Sequence, residues 1–206
     1  MKIDVSAERI AQVIRLHDCA YAWLQWFDER GRQDPTFLEP IADDLLDRHR
    51  AQQWLEAHWE TLPEPRPDRS EAAPVAGLLA SFFSVSFQIA IERGADGRPL
   101  QARILHRPTS KRKQRLGRTE VEALQRLAID AGHRPRRDVL HTWREALNDT
   151  DVELWLYVVE LACRAEGRTQ GLSAMGLWRR LRLETRQDLE PAVVDARARM
   201  LAALPL

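Results

Sequence analysis

One run of alternating residues restricts the fold more than any other part of the chain. Apolar side chains occupy every second position from Val85 to Ile91, the period of a β-strand with one buried face. Residues 94–97 read Gly-Ala-Asp-Gly, and the chain then returns through Leu100, Ala102 and Ile104, which predicts an antiparallel hairpin. Because a hairpin is not stable alone in water, its apolar face must pack on helices or pair with another chain.

Helical periodicity and helix-end signals occupy most of the remaining sequence. Residues 6–27 and a segment beginning near Pro40 carry apolar side chains at three- and four-residue spacing, so they predict two helices. Thr119–Glu122 and Thr150–Glu153 have the pattern of a capping box at a helix start. Further helices are predicted over 120–131, over 136–147, from 150 to a stop at Gly167, after Ser173 and near Pro191. The sequence therefore predicts a mostly α-helical (α+β) fold: a helical bundle-like domain with one antiparallel β-hairpin inserted mid-chain.

Proline content predicts the domain organisation. Residues 63–74 contain four prolines in twelve positions, a composition that favours an extended, semi-rigid connector. We therefore predict an acidic, tryptophan-rich helical hairpin over residues 1–62 and a proline-rich linker over 63–74. Residues 75–206 would hold the β-hairpin and a helical domain with a basic segment at 103–144, unless all parts share one core.

Charge is unevenly distributed although the 206-residue chain has a formal net charge of zero. Residues 1–62 contain 12 acidic and 7 basic side chains, whereas residues 103–144 contain 12 basic and 4 acidic ones. A neutral total can therefore conceal a local field that attracts a polyanionic partner. Nucleic acid is the partner that this distribution predicts.

The first part of the basic segment contains no acidic residue between positions 103 and 119. Its candidate phosphate-binding residues are Arg103, Arg107, Lys111, Arg112, Lys113, Arg115 and Arg118. A loop can neutralise phosphates without a fixed geometry, so such a segment can bind DNA or RNA without reading sequence. A solvated loop, or a contact with an acidic protein surface, is the alternative interpretation.

The predicted helices 120–131 and 136–147 approximate a helix-turn-helix. Ala128 supplies the small residue, Gly132 the turn, and Val139 with Leu140 the apolar seat of the second helix. The candidate groove-contacting residues are Arg134, Arg136, Arg137, His141 and Arg144. Cations at a helix N-terminus oppose the helix dipole, and a bound phosphate would compensate them. An ordinary helical hairpin with solvated arginines is the alternative.

Catalytic and metal-binding patterns are weak. The chain has no glycine-rich phosphate loop, no G-x-S-x-G, no H-E-x-x-H and no CxxC. Asp43, Asp44 and Asp47 suggest an acidic site only faintly, and Cys19 and Cys163 are expected to be buried thiols. We therefore predict no catalytic residue, no metal and no cofactor.

These observations favour a non-enzymatic nucleic-acid-binding or nucleoprotein-accessory protein. The alternative is an adaptor or structural subunit that docks other protein subunits through the aromatic N-terminal helices. Residues 1–4 lack the apolar core of a signal peptide and Pro74–Ile91 is too polar to span a bilayer, so a cytoplasmic location away from the membrane is expected.

Overall fold

The computed structural model describes residues 6–107, 118–134, 149–167 and 189–204, together with positions 139, 140, 142 and 147. These residues confirm the predicted fold class, because they are mostly α-helical and contain one two-stranded antiparallel sheet. The chain divides into two compact units. The first contains Met1–Ile14, Lys111–Cys163 and Thr169–Leu206, and the second contains Arg15–Ser110 and Arg164–Arg168.

The N-terminal part of the chain begins with a long helix, α1 (Ala7–Gln33). Ser6 caps α1, because its hydroxyl accepts a hydrogen bond from the Arg9 N–H at 3.2 Å. A short helix, α2 (Pro35–Leu38), follows, and α3 spans Arg48–Ala57.

The predicted start of a helix at Pro40 is wrong. Residues 39–46 form turns, and α3 begins only at Arg48. The reason is a side-chain cap, since the Asp47 carboxylate accepts hydrogen bonds from the N–H groups of His49 and Arg50, both at 3.0 Å. Asp47 thereby satisfies two of the donors that a helix start leaves free.

The hairpin follows a buried helix. Helix α4 spans Ala72–Ser81, and a π-helical turn covers Phe82–Ser86. Strand β1 (Phe87–Arg93) then pairs antiparallel with β2 (Pro99–His106). The strand therefore begins two residues later than predicted, because the N–H of Phe87 donates to Phe82 O and closes the π-helical turn first.

Aromatic side chains form much of the core of the second unit. Trp23 and Phe27 are fully buried, and the Trp23 and Trp59 rings meet edge to face with centroids 5.6 Å apart. The buried indole N–H of Trp23 donates to Pro63 O at 3.0 Å, as buried tryptophans usually require. Trp59 is buried as well.

The proline-rich segment 63–74, predicted from its composition as an extended, semi-rigid connector, makes hydrogen bonds to residues near the end of α3. The Arg66 guanidinium donates to Trp59 O at 3.1 Å, and Arg69 donates to Glu56 O at 3.0 Å. Both arginines thus satisfy carbonyls near the end of α3. The predicted boundary lies inside the second unit and joins α3 to α4, which pack on each other.

Three helices are described in the second half of the chain: α5 (Arg118–Asp130), α6 (Asp149–Ala165) and α7 (Leu189–Ala203). Helices α5 and α6 each begin one residue before the threonine predicted to cap them. Gly132 and Gly167 follow α5 and α6 with φ of 86° and 74°, which confirms the two predicted glycine stops.

The first unit packs α5 against α7. Val121, Leu124 and Leu127 of α5 are buried, as are Val193 and Met200 of α7. Two ion pairs fix the α7 surface within this unit. Arg197 meets Asp130 at 3.1 Å, and Arg199 holds Asp151 through two hydrogen bonds of 2.8 Å.

Helix α4 passes very close to the end of α6 at Gly77. A Cβ atom at Gly77 would lie 2.7 Å from the backbone oxygen of Arg164 and 3.1 Å from that of Ala165. Because both obstacles are backbone atoms, they cannot rotate away as a side chain would. The close approach therefore requires glycine at this position.

Gly77→Ala is expected to lower the free energy of unfolding by about 1–3 kcal/mol, the usual cost of overpacking a tight core. Helix propensity alone predicts the opposite sign, because alanine is favoured over glycine by about 1 kcal/mol. Urea denaturation measures the difference. Ala73→Gly in the same helix is the control and should cost about 1 kcal/mol through propensity. An increase in stability for Gly77→Ala would contradict the close packing.

Candidate nucleic-acid interface

Three of the twelve candidate nucleic-acid-binding side chains lie in the described part of the chain: Arg103, Arg107 and Arg134. Arg118 is the first residue of α5, but its side chain lies outside the described part. The remaining candidates, Lys111, Arg112, Lys113, Arg115, Arg136, Arg137, His141 and Arg144, lie outside it as well. Since Arg103 and Arg107 belong to the second unit and Arg134 to the first, each is described within its own unit.

Arg103 stands in the middle of β2, directly opposite Ala90 of β1. The residue is half-buried, and its Nε atom is buried without a hydrogen-bond partner. An unsatisfied buried donor costs about 1–3 kcal/mol, so nothing in the packing of the hairpin favours an arginine here.

Arg107 follows the last residue of β2 and is anchored to the hairpin. Its backbone N–H donates to Ser86 O at 2.8 Å, and its Nε donates to Phe87 O, also at 2.8 Å. The side chain therefore ties the end of β2 to the start of β1. Arg107 thus fixes the point from which the chain continues toward Lys111, Arg112, Lys113 and Arg115.

Arg134 is exposed and follows the end of α5. The helix closes with a Schellman motif, in which the His133 N–H donates to Ala128 O at 2.8 Å and the Gly132 N–H donates to Ile129 O at 3.0 Å. This closure directs the chain out of the helix at a defined position. Beyond it, residues 139, 140 and 142 are helical and Leu140 is buried.

Arg103 and Arg134 differ from the other described arginines in their contacts. Arginines that form ion pairs are Arg15, Arg32, Arg50, Arg66, Arg93, Arg98, Arg126, Arg197 and Arg199. Others have a hydrogen bond, a ring contact or another partner: Arg9, Arg30, Arg48, Arg69, Arg107 and Arg164. Among the arginine side chains that the structure describes, this leaves Arg103 and Arg134 without any such contact.

Two of the three acidic residues singled out from the sequence, Asp44 and Asp47, have side-chain partners. Hydrogen bonds from the backbone N–H groups of Arg50 and His49 hold the pKa of the Asp47 carboxyl below its ordinary value. Asp44 pairs with Arg50 at 3.5 Å. Within the described residues, no three His, Cys, Asp or Glu side chains are grouped so that they could hold a metal ion.

Both cysteines are free and buried, as predicted. Burial, reinforced by the neighbouring Asp18 carboxylate, raises the pKa of the Cys19 thiol to about 11. Cys19 is therefore a protonated, enclosed thiol at neutral pH, in the state that makes cysteine a poor nucleophile.

Comparisons with known proteins add no family to this description. No protein-family model, no curated protein and no solved structure matches the chain. Across the described residues, none of the helices combines the length and the apolar character needed to cross a membrane.

Sequence reasoning selected Arg103 and Arg134 by their position in a basic segment, but it did not show that they lack partners. The pairings of Arg126 with Asp130 and of Arg32 with Asp28, each four residues apart on one helix, were accessible from spacing. The hydrogen bond from Arg107 to Phe87 O joins residues 20 positions apart, so no local sequence pattern predicts it.

Methionine substitutions should distinguish the two hairpin arginines by stability. Arg103→Met removes a buried donor without a partner, so the free energy of unfolding should rise by about 1 kcal/mol. Arg107→Met removes the hydrogen bond to Phe87 O, so stability should fall by about 0.5–1.5 kcal/mol. Urea denaturation of both variants checks the opposite signs. Equal losses would mean that Arg103 stabilises the hairpin through its own contacts.

Proposed function

We propose that the chain is a non-enzymatic nucleic-acid-binding protein, or an accessory protein of a nucleoprotein complex. Residues 103–118 would contact phosphates. Arg134, with Arg136, Arg137, His141 and Arg144, would approach a groove in the manner of a helix-turn-helix. The observation that carries the proposal is the absence of partners for Arg103 and Arg134 among the described arginines.

An arginine without an ion pair is better suited to bind phosphate than one with a carboxylate partner. A paired guanidinium must give up its charge-assisted hydrogen bonds before it can contact a phosphate, and that loss offsets the gain. Arg103 and Arg134 have no such contacts to give up. Their charge is also less compensated locally, which strengthens the field that steers a polyanion.

The cost of Arg103 to the hairpin also supports a binding role. A buried donor without a partner lowers stability, and the opposite residue, Ala90, offers no compensating charge. Destabilising groups of this kind are common where a protein binds a ligand, because the ligand supplies the missing partner. A phosphate oxygen would accept from the guanidinium.

The alternative, an adaptor that docks proteins through its aromatic N-terminal helices, has less support from the described contacts. Trp26 packs edge to face on Phe37 with centroids 5.6 Å apart, and Trp54 packs on Phe27 at 5.4 Å. The Arg30 guanidinium covers the Phe37 ring at 5.3 Å. These rings contact one another, which leaves less aromatic surface for a partner.

Salt dependence tests the phosphate contacts of the loop. Fluorescence anisotropy with a labelled duplex should give an affinity that falls linearly with salt on a log–log plot. Replacing Lys111, Arg112 and Lys113 together with alanine should flatten the slope by up to about 2.7, or about 0.9 per lost contact on duplex DNA. All sequences should weaken alike, because phosphate contacts carry no base information. No detectable binding to duplex or single strands at low salt would refute the proposal and favour the adaptor.

A matched pair of variants tests Arg134, the unpaired arginine that follows α5. Arg134→Gln should reduce the salt slope by about 0.9. Arg126→Gln removes the same charge, but Arg126 is paired with Asp130 at 3.3 Å, and Asp130 also keeps Arg197. The control should therefore leave the slope nearly unchanged. Equal effects of the two variants on the salt slope would show that only total charge matters. They would contradict the proposal that an unpaired arginine binds phosphate better than a paired one.

A further inference from the structure

The sheet leaves one of its two edges open. The Arg107 N–H donates to Ser86 O, which means that even-numbered residues of β1 direct their backbone groups toward β2. Odd-numbered residues direct theirs away from β2. Ile89 and Ile91, at the centre of β1, therefore present N–H and C=O groups at the outer edge.

The outer edge of β2 is covered by α1, because Ala102 is fully buried and a Cβ atom at Gly31 would lie 3.3 Å from the Ala102 carbonyl oxygen. On β2, the outward N–H of Ile104 donates to the Asp28 carboxylate at 2.7 Å. On β1, the N–H of Phe87 donates to Phe82 O, and the Phe87 carbonyl accepts from Arg107. The backbone groups of Ile89 and Ile91 have no partner among the described residues, since the sheet has only two strands.

The geometry points to a second copy of this chain as the occupant of the open edge, paired antiparallel about a two-fold axis at Ala90. In that register Ile89 of each copy faces Ile91 of the other. The four free groups on each copy then form four hydrogen bonds across the axis. The result is a four-stranded sheet in which only outward-facing groups of β1 are used.

In this register, the side chains of β1 in one copy are compatible with those of β1 in the second copy. Ala90 faces Ala90 of the second copy in a closely spaced pair, with Cα atoms about 4.5 Å apart, where a small side chain fits. Glu92 faces Gln88, so no like charges lie opposite one another. Ile89 and Ile91 form apolar cross-strand pairs.

Other registers use groups that are already engaged. Centring the axis on Ile89 would place Ile91 opposite Phe87, whose N–H and C=O are both bonded within the chain. Centring it on Ile91 would require Arg93, where the ladder register shifts and the side chain is held by Glu39. The register centred on Ala90 is the one that takes the free groups alone.

Disulfide trapping tests the register. Ala90→Cys places two thiols across the axis with Cα atoms about 4.5 Å apart, within the range of a disulfide. Oxidised glutathione, which takes up the two electrons, should link the folded protein into a covalent dimer. Gln88→Cys is the control, because the two positions 88 would lie more than about 12 Å apart. The native thiols, Cys19 and Cys163, are buried and should not interfere.

A proline substitution tests the hydrogen bonds. Ile91→Pro removes an outward N–H but none of the hydrogen bonds between β1 and β2, so the hairpin should be retained. Ile91→Ala keeps the N–H and controls for the lost side chain. Sedimentation velocity should give a concentration-dependent dimer for the wild type and Ile91→Ala, and a monomer for Ile91→Pro.

Three outcomes would overturn the proposal: a monomeric wild type up to hundreds of micromolar, equal trapping at positions 88 and 90, or undiminished trapping of Ala90→Cys when Ile91→Pro is added. A monomer that pairs with an added extended peptide would assign the edge to a different partner. Because all measurements use protein without nucleic acid, their result is independent of the proposed function.

Discussion

The buried indole of Trp23 joins parts of the second unit that are distant in sequence. Its ring packs against Trp59, which follows α3, and its N–H donates to Pro63 O, 40 residues away. Because an unpaired indole N–H in the core would be costly, the Pro63 carbonyl must stay where it is. That requirement holds the start of the proline-rich segment against α1, and Arg66 and Arg69 hold its continuation against the end of α3. The path into α4 and the hairpin depends on these contacts.

Local signals predicted the local features. The alternation over 85–91 and the glycines at 132 and 167 depend on neighbouring residues. Both helix stops were found where predicted, and the hairpin was found with its first strand beginning two residues later, at Phe87. The start of α3 was misplaced because Pro40 is only compatible with a first helical turn, whereas the Asp47 side chain caps the helix. The contacts of the proline-rich segment were not predicted, because its arginines reach carbonyls 7 and 13 residues away. The candidate site was found by composition, but pairing depends on tertiary contacts such as Arg15 with Glu71, which no spacing rule contains.

The chain combines a formal net charge of zero with local imbalance. Asp130 shows how carboxylates reduce the number of available cations, since it accepts both Arg126 and Arg197. Where no carboxylate is near, as at Arg103 and Arg134, an arginine keeps its donors and its field. Such residues contribute little to folding, and at Arg103 the buried Nε opposes it. At positions 103 and 134, arginine is therefore expected to favour nucleic-acid binding, whereas an uncharged residue would serve the stability of the fold equally well or better.

The carboxylate of Asp28 has a consequence for how far strand pairing can extend. It occupies the outward N–H of Ile104 with one oxygen and Arg32 with the other, so β2 cannot accept a further strand there. A sheet with a single open edge can pair only once, by a self-complementary contact that closes on itself. If Asp28 were lost, the outward N–H of Ile104 would become free on the second edge, where a contact that does not close on itself could propagate from copy to copy, as in a fibre. One half-buried carboxylate thus helps to keep strand pairing finite.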